Sequence, residues 1–145
     1  MIKDIRTLFV RDLRKLCNEI DAFDAEIDLW RTMGTVSNSA GNLTLHICGN
    51  LRHFVGAVLG GSAYIRDRER EFGATGIPKS DLLDEVNRTI ASVEDALAQL
   101  DEQRLLQPYP IRVLPEETTT GYFLLHLYGH LNYHLGQVNY LRRLL

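Results

Sequence analysis

The sequence predicts an all-α protein, a bundle of four helices, on three observations. Apolar residues recur at steps of three and four through four segments, turn formers or prolines collect between those segments, and the connections differ sharply in length. The link over residues 60–79 is long enough to travel the bundle and return the third helix parallel to the second. That connection pattern points to an overhand, up-down-down-up winding.

The first helix is expected from Ile5 to about Arg31, where Ile5, Phe9, Leu13, Leu16, Ile20, Phe23, Ile27 and Trp30 form one stripe. The segment MGTVSNSAGN breaks it with Gly, Ser and Asn, which favour turns, and Asn42 or a nearby Ser is expected to cap the second helix. That helix, over about residues 43–59, offers Leu43, Ile47, Leu51, Phe54 and Val58 to the core, and Gly60-Gly61 ends it. The charge-dense stretch SAYIRDREREFGATGIP is expected to form a short exposed helical turn followed by a loop, outside the core. Ser80 and Asp81 open the third helix, whose stripe is Leu82, Val86, Ile90, Val93, Leu97 and Leu100. Pro108, Pro110 and Pro115 exclude a continuous helix over residues 102–117, which is expected to cross the end of the bundle in extended form. Thr118 to Thr120 supply cap candidates for a last helix running almost to Leu145.

A chain of 145 residues can bury one substantial core, so a single domain over residues 1–145 is expected. With 45% hydrophobic and 24% charged residues the composition is that of a folded globular chain. A net charge of -3, with 16 Lys+Arg against 19 Asp+Glu and no basic run, excludes the electrostatic footprint of a nucleic-acid binder. Charges recur every few residues through MIKDIRTLFVRDL, which has neither a signal peptide's apolar run nor the length of a membrane span. A cytoplasmic protein without nucleic-acid or membrane partners is therefore expected. Cys17 and Cys48 lack zinc-ribbon spacing and read as reduced core thiols.

All five histidines fall in the second and fourth helices: His46 and His53 in one, His126, His130 and His134 in the other. Residues four apart on a helix share a face at about 6 Å along the axis, close enough to ligate one ion, whereas residues seven or eight apart lie about 10 to 12 Å apart. A three-histidine site therefore takes His46 or His53 from the second helix and a pair that includes His130 from the fourth. The Gly136-Gln137 that follows His134 favours His130 with His134, because the amide can hold a ligand or a bound water. Several imidazoles buried in an apolar helix need several partners or one shared cation. The HxxxH pair lacks the Glu of HExxH, so a zinc-peptidase reading fails at the base.

The segments LHICGNLRHFVGAVLGG, RDREREF and HLYGHLNYHLGQVNYLRR resemble the DinB/YfiT-like metalloproteins, within them the small bacterial proteins with GNLR, RDRxxEF and HLxxHxGQ signatures. The resemblance covers the second helix, the charged segment after it and the fourth helix. It implies a four-helix bundle, commonly dimeric, with one divalent ion, nickel or zinc, on three histidines and open coordination positions. The matching ligands are His46, His130 and His134. Where some members carry an acidic residue just before the second ligand, this chain has Gly129.

The implied function is that of a metal-dependent enzyme acting on a small molecule, a thiol S-transferase using a low-molecular-weight thiol or else a hydrolase. The alternative is a non-catalytic, stress-associated bundle that binds metal or dimerises. Asn50, His53, His126 and Gln137 are the further residues expected to line the pocket or support the ligands. Arg66 and Arg68 are anion-contact candidates if the RDREREF segment is functional, its plainer reading being an exposed charge-alternating turn. No residue stands out as a general base.

Overall fold

Ile5, Phe9, Leu13, Leu16 and Ile20 fall on one side of α1 (Ile2–Asp21) in the computed structural model, which describes all residues 1–145, and each is buried. The apolar spacing outlasts the helix. Its end lies at Asp21, ten residues before the expected one, and Glu26–Trp30 forms a separate 3-10 turn in which Ile27 is 70% exposed. No basic residue occupies the last turn of α1, and prolonging it would bring Asp21, Asp24, Glu26 and Asp28 to the negative end of the helix dipole.

Ser39 caps α2 (Ala40–Leu51) by accepting the Asn42 backbone N–H at 3.2 Å. Every residue from Leu43 to Leu51 is buried, because α2 packs against the Glu26–Trp30 turn and the helices over Arg68–Gly73, Lys79–Ala98 and Thr120–Leu144. Beyond Leu51 the helix continues but widens. Over Arg52–Ala57 the hydrogen bonds span five residues, as in Val58 N–H to His53 C=O and Gly60 N–H to Val55 C=O, both at 3.0 Å. Gly61, at φ 70°, then takes the left-handed conformation expected at the stop.

The charge-dense segment forms the expected helical turn but is not exposed throughout. It contains α3 (Arg68–Gly73), capped by Asp67, and within it Glu71 is only 3% exposed. Asn42 draws α3 onto α2 by donating to the backbone carbonyls of Glu71 at 3.0 Å and Ala74 at 2.8 Å. The next helix, α4 (Lys79–Ala98), buries Leu82, Val86, Ile90, Val93 and Leu97 as its stripe requires. The following stretch is not extended throughout: Asp101 caps a short α5 (Glu102–Leu106) before the prolines take over. Pro108 then pairs with Thr119, whose side chain caps α6 (Thr120–Leu144).

The fold is all-α, with no strand. One contiguous core draws on all of α1, α2, α4 and α6: α1 packs against α4 and α6, and α2 against the same two. Polar ties fix the levels at which they meet. The Met1 amino group reaches Glu102 at 2.8 Å, and Lys79 Nζ reaches the Phe23 carbonyl at 2.6 Å. Asp12, wholly buried, accepts from Tyr128 at 2.6 Å and from Arg11 at 2.8 Å, while Glu19 accepts from Asn139 at 2.7 Å and Arg142 at 2.6 Å. Burial opposes ionisation of Asp12, yet these donors outweigh it and hold its carboxyl well below the usual range. No helix is long and apolar enough to cross a membrane.

Two glycines inside α6, Gly129 and Gly136, occupy positions where an added Cβ would meet nothing within 4 Å. Packing within the chain therefore does not require them. Gly129→Ala is expected to stabilise the fold by about 1 kcal/mol through helix propensity, read as a higher urea midpoint at unchanged m-value. A lower midpoint would show that the open space is used by something other than solvent.

Candidate metal centre

Two helices supply the centre. α2 presents His46 from its all-buried run, and α6 presents His130 and His134 one turn apart on the side that faces α2. His46 Nε2 lies 3.0 Å from His130 Nε2, and His134 Nε2 lies 3.1 Å from the same atom. Ligand atoms of all three lie within 4.8 Å of one another, close enough to bind a metal ion.

The opposite ring nitrogens settle which form each imidazole takes. His46 Nδ1 faces Glu71 Oε1 at 2.9 Å. Burial alone would raise the Glu71 carboxyl, but the bonds from Arg66 and His46 outweigh it and hold it below its ordinary value. A carboxylate can only accept, so the hydrogen sits on His46 Nδ1 and the lone pair on Nε2. His134 Nδ1 likewise donates to the Gln137 side-chain carbonyl at 2.7 Å, which leaves its Nε2 lone pair free. Both lone pairs are aimed at His130 Nε2.

A neutral His130 has at most one hydrogen on that nitrogen and cannot satisfy two acceptors along two directions. Burial, then the neighbouring His134 and His46, push the His130 pKa down to about 4, and burial also lowers that of His134. A proton is therefore a poor bridge at neutral pH. Two of the three spacings match a divalent cation, since nitrogens about 2.1 Å from one ion lie roughly 3.0 to 3.4 Å apart at angles of 90 to 110°, and a small rotation of the His46 or His134 ring would bring the third pair to the same ion.

Glu71 itself is gripped from behind. Arg66 donates from Nε to Oε2 and from Nη2 to Oε1, both at 2.8 Å, so the guanidinium meets the carboxylate on two parallel bonds. The Phe72 ring packs beside His46 at 4.8 Å between centroids. Gly49 completes the cradle, because a Cβ there would overlap the Glu71 carboxylate. Gly49→Ala is accordingly expected to displace Glu71 and weaken metal binding about tenfold, measured by isothermal titration with zinc.

The remaining expected residues are spread more widely. Gln137 bonds His134 as described. Asn50 is buried one turn after His46, and its Oδ1 has no hydrogen-bond partner. His53 lies half-buried with its ring edge-on to Phe54, and its pKa is lowered by burial and by Arg66. His126 is exposed and stacks on Phe123. Neither joins the trio. Arg66 is committed to Glu71, and Arg68 is exposed with its guanidinium 5.5 Å from the Phe72 ring.

Glu71 and Gly49 are the site residues that sequence reasoning missed. Both stand inside quoted signatures, Glu71 in RDREREF and Gly49 in GNLR, next to the positions that drew attention.

A family model described as "Protein of unknown function (DUF1572)" matches residues 2–145, nearly the whole chain. The chain belongs to the DUF1572 family. DUF1572 is a DinB-like family, which agrees with the resemblance carried by the histidine-bearing segments. No curated protein and no solved structure matches this DUF1572 chain.

Proposed function

We propose that this DUF1572 protein is a metal-dependent enzyme acting on a small molecule, with one nickel or zinc ion on His46, His130 and His134. The observation that carries the reading is the convergence of three imidazole Nε2 atoms, two of which have their lone pairs fixed by Glu71 and Gln137. A bound ion with an exchangeable position would supply Lewis acidity, lowering the pKa of a water or holding a thiolate. Around it, Glu71 and Gln137 orient the rings, Arg66 keeps Glu71 ionised, and Phe72 shields one side of His46 from water. Thiol S-transfer is the leading chemistry, with a low-molecular-weight thiol as one substrate.

The frame of this reading is a single cytoplasmic domain, an overhand four-helix bundle. Rising residue numbers on α1 meet rising numbers on α6, through Asp12–Tyr128 and Glu19–Arg142, which supports a parallel pair. His46 with His130 and Phe54 with Phe123 support antiparallel α2 and α6. Met1–Glu102 and Phe23–Lys79 support antiparallel α1 and α4. Together these favour the up-down-down-up order.

The second reading is a non-catalytic bundle that dimerises. The observation favouring it is the outer face of α6, where Tyr122, Leu125, Tyr133 and Tyr140 are each more than half exposed and no charged residue occurs over residues 118–141. A homodimer is compatible with either reading.

The deciding experiment is metal analysis and X-ray absorption on protein purified without a histidine tag. Three histidine nitrogens plus a solvent ligand, at one ion per chain, are expected. Substoichiometric metal after reconstitution with both nickel and zinc would sink the proposal, and a fourth protein ligand closing the shell would favour the non-catalytic reading.

A further inference from the structure

Beside the histidine trio lies a cavity of about 520 Å³, inside the range typical of small-molecule sites. His134 and Gln137 are part of its lining, so it borders one of the ligand rings. Its walls combine Val36, Leu43, Tyr140, Leu141 and Leu144 with the uncharged polar Thr35, Ser37 and Asn38, supplied by the loop before α2, by α2 and by the last turns of α6. Tyr133 stands over the His134 ring at 5.3 Å between centroids.

The composition of the walls is the informative part. No Lys, Arg, Asp or Glu lines this cavity. The other large clefts, around Lys15 and Glu19, around Arg11 and Arg14, around Glu116 and Glu117, and around Arg70 and Asp84, all carry formal charge. A charged group entering the uncharged cavity would lose hydration and find no counter-ion, whereas an apolar one would gain by leaving water.

We propose that this cavity binds the apolar, uncharged body of the substrate, whose metal-binding head group reaches the ion past His134. The assignment rests on the metal-centre reading above and narrows it. The substrate, or the acceptor in a transfer reaction, carries an aliphatic or aromatic portion and no carboxylate or ammonium on that portion. Selectivity among molecules with the same head group is set by the cavity walls.

The test uses hydroxamic acids, which present one constant metal-binding head on variable tails. Zinc content is measured first, and then acetohydroxamic acid, octanohydroxamic acid and suberic acid monohydroxamate are titrated into the same zinc-loaded protein. The octano compound is expected to bind at least tenfold tighter than the aceto compound, and the carboxylate-ended tail is expected to lose most of that gain. Val36→Asp, in the loop wall, is expected to cut the octano-to-aceto affinity ratio at least fivefold. Normal zinc uptake with equal affinities for all three probes overturns the cavity assignment alone. So does a tail preference that survives both the terminal carboxylate and Val36→Asp. Failure of the protein to take up zinc or nickel overturns the metal-centre reading itself, and this inference with it.

Discussion

His130→Ala is expected to abolish stoichiometric binding of nickel or zinc, the largest loss of metal affinity that a single substitution in this chain should produce. His130 Nε2 is the atom on which both other rings converge, at 3.0 Å and 3.1 Å. Without it His46 and His134 remain on separate helices with no atom between them. Removing an outer partner of a metal site typically costs 10–100-fold in affinity, and loss of a direct ligand should exceed about 100-fold. Metal-dependent thermal stabilisation should vanish in parallel, because stabilisation by a ligand scales with its binding to the folded state. The metal-free variant should be no less stable than metal-free wild type, since alanine removes a half-buried imidazole set against two lone pairs. Full metal content in His130→Ala would refute the assignment of the centre.

Glu71→Gln should show two separable effects. The amide still presents a carbonyl to His46 Nδ1, but without the negative charge, so metal affinity is expected to fall 10–100-fold. Arg66, whose side chain is 13% exposed, loses its counter-charge at the same time. Removing one partner of a buried ion pair costs about 3–5 kcal/mol, and the neutral amide should bring that toward about 3 kcal/mol. Adding Arg66→Leu to Glu71→Gln should recover most of the stability, because an apolar replacement needs no counter-charge. It should leave the affinity low. Chemical denaturation and zinc titration on the single and double variants separate the two roles; recovery of both together would mean that Glu71 acts on the fold and not on His46.

The histidine pattern was legible in part, because helix spacing does not depend on neighbours. A four-residue step on α6 puts His130 and His134 on one face whatever surrounds them, as it does His126 and His130; spacing left His46 and His53 as alternatives on the second helix, and the resemblance pointed to His46. The stripes of α1 and α4 were legible on the same ground as far as the helices run. Helix ends and polar burial were not. Phe23, Ile27 and Trp30 continue the spacing of α1 although the acidic residues around them end the helix, and the wide turn at Arg52–Ala57 has no spacing signature at all. Glu71 is hidden in a segment whose charge density suggests exposure. Its burial depends on Arg66, five residues earlier, on Asn42 holding its carbonyl, and on the missing side chain at Gly49. None of these contacts follows from periodicity.

His46 and His130 are separated by 84 positions in the chain, and α3, α4 and α5 all lie between them. An ion shared by the two is a cross-link across that whole interval, formed by a bond that a chelator can undo. Its removal should loosen the seam between α2 and α6 while each helix keeps its own backbone hydrogen bonds. Amide exchange near Leu131 and Leu135 should then quicken well before the helical circular dichroism changes. In this chain the ion would be a removable clasp between two otherwise intact halves of the core.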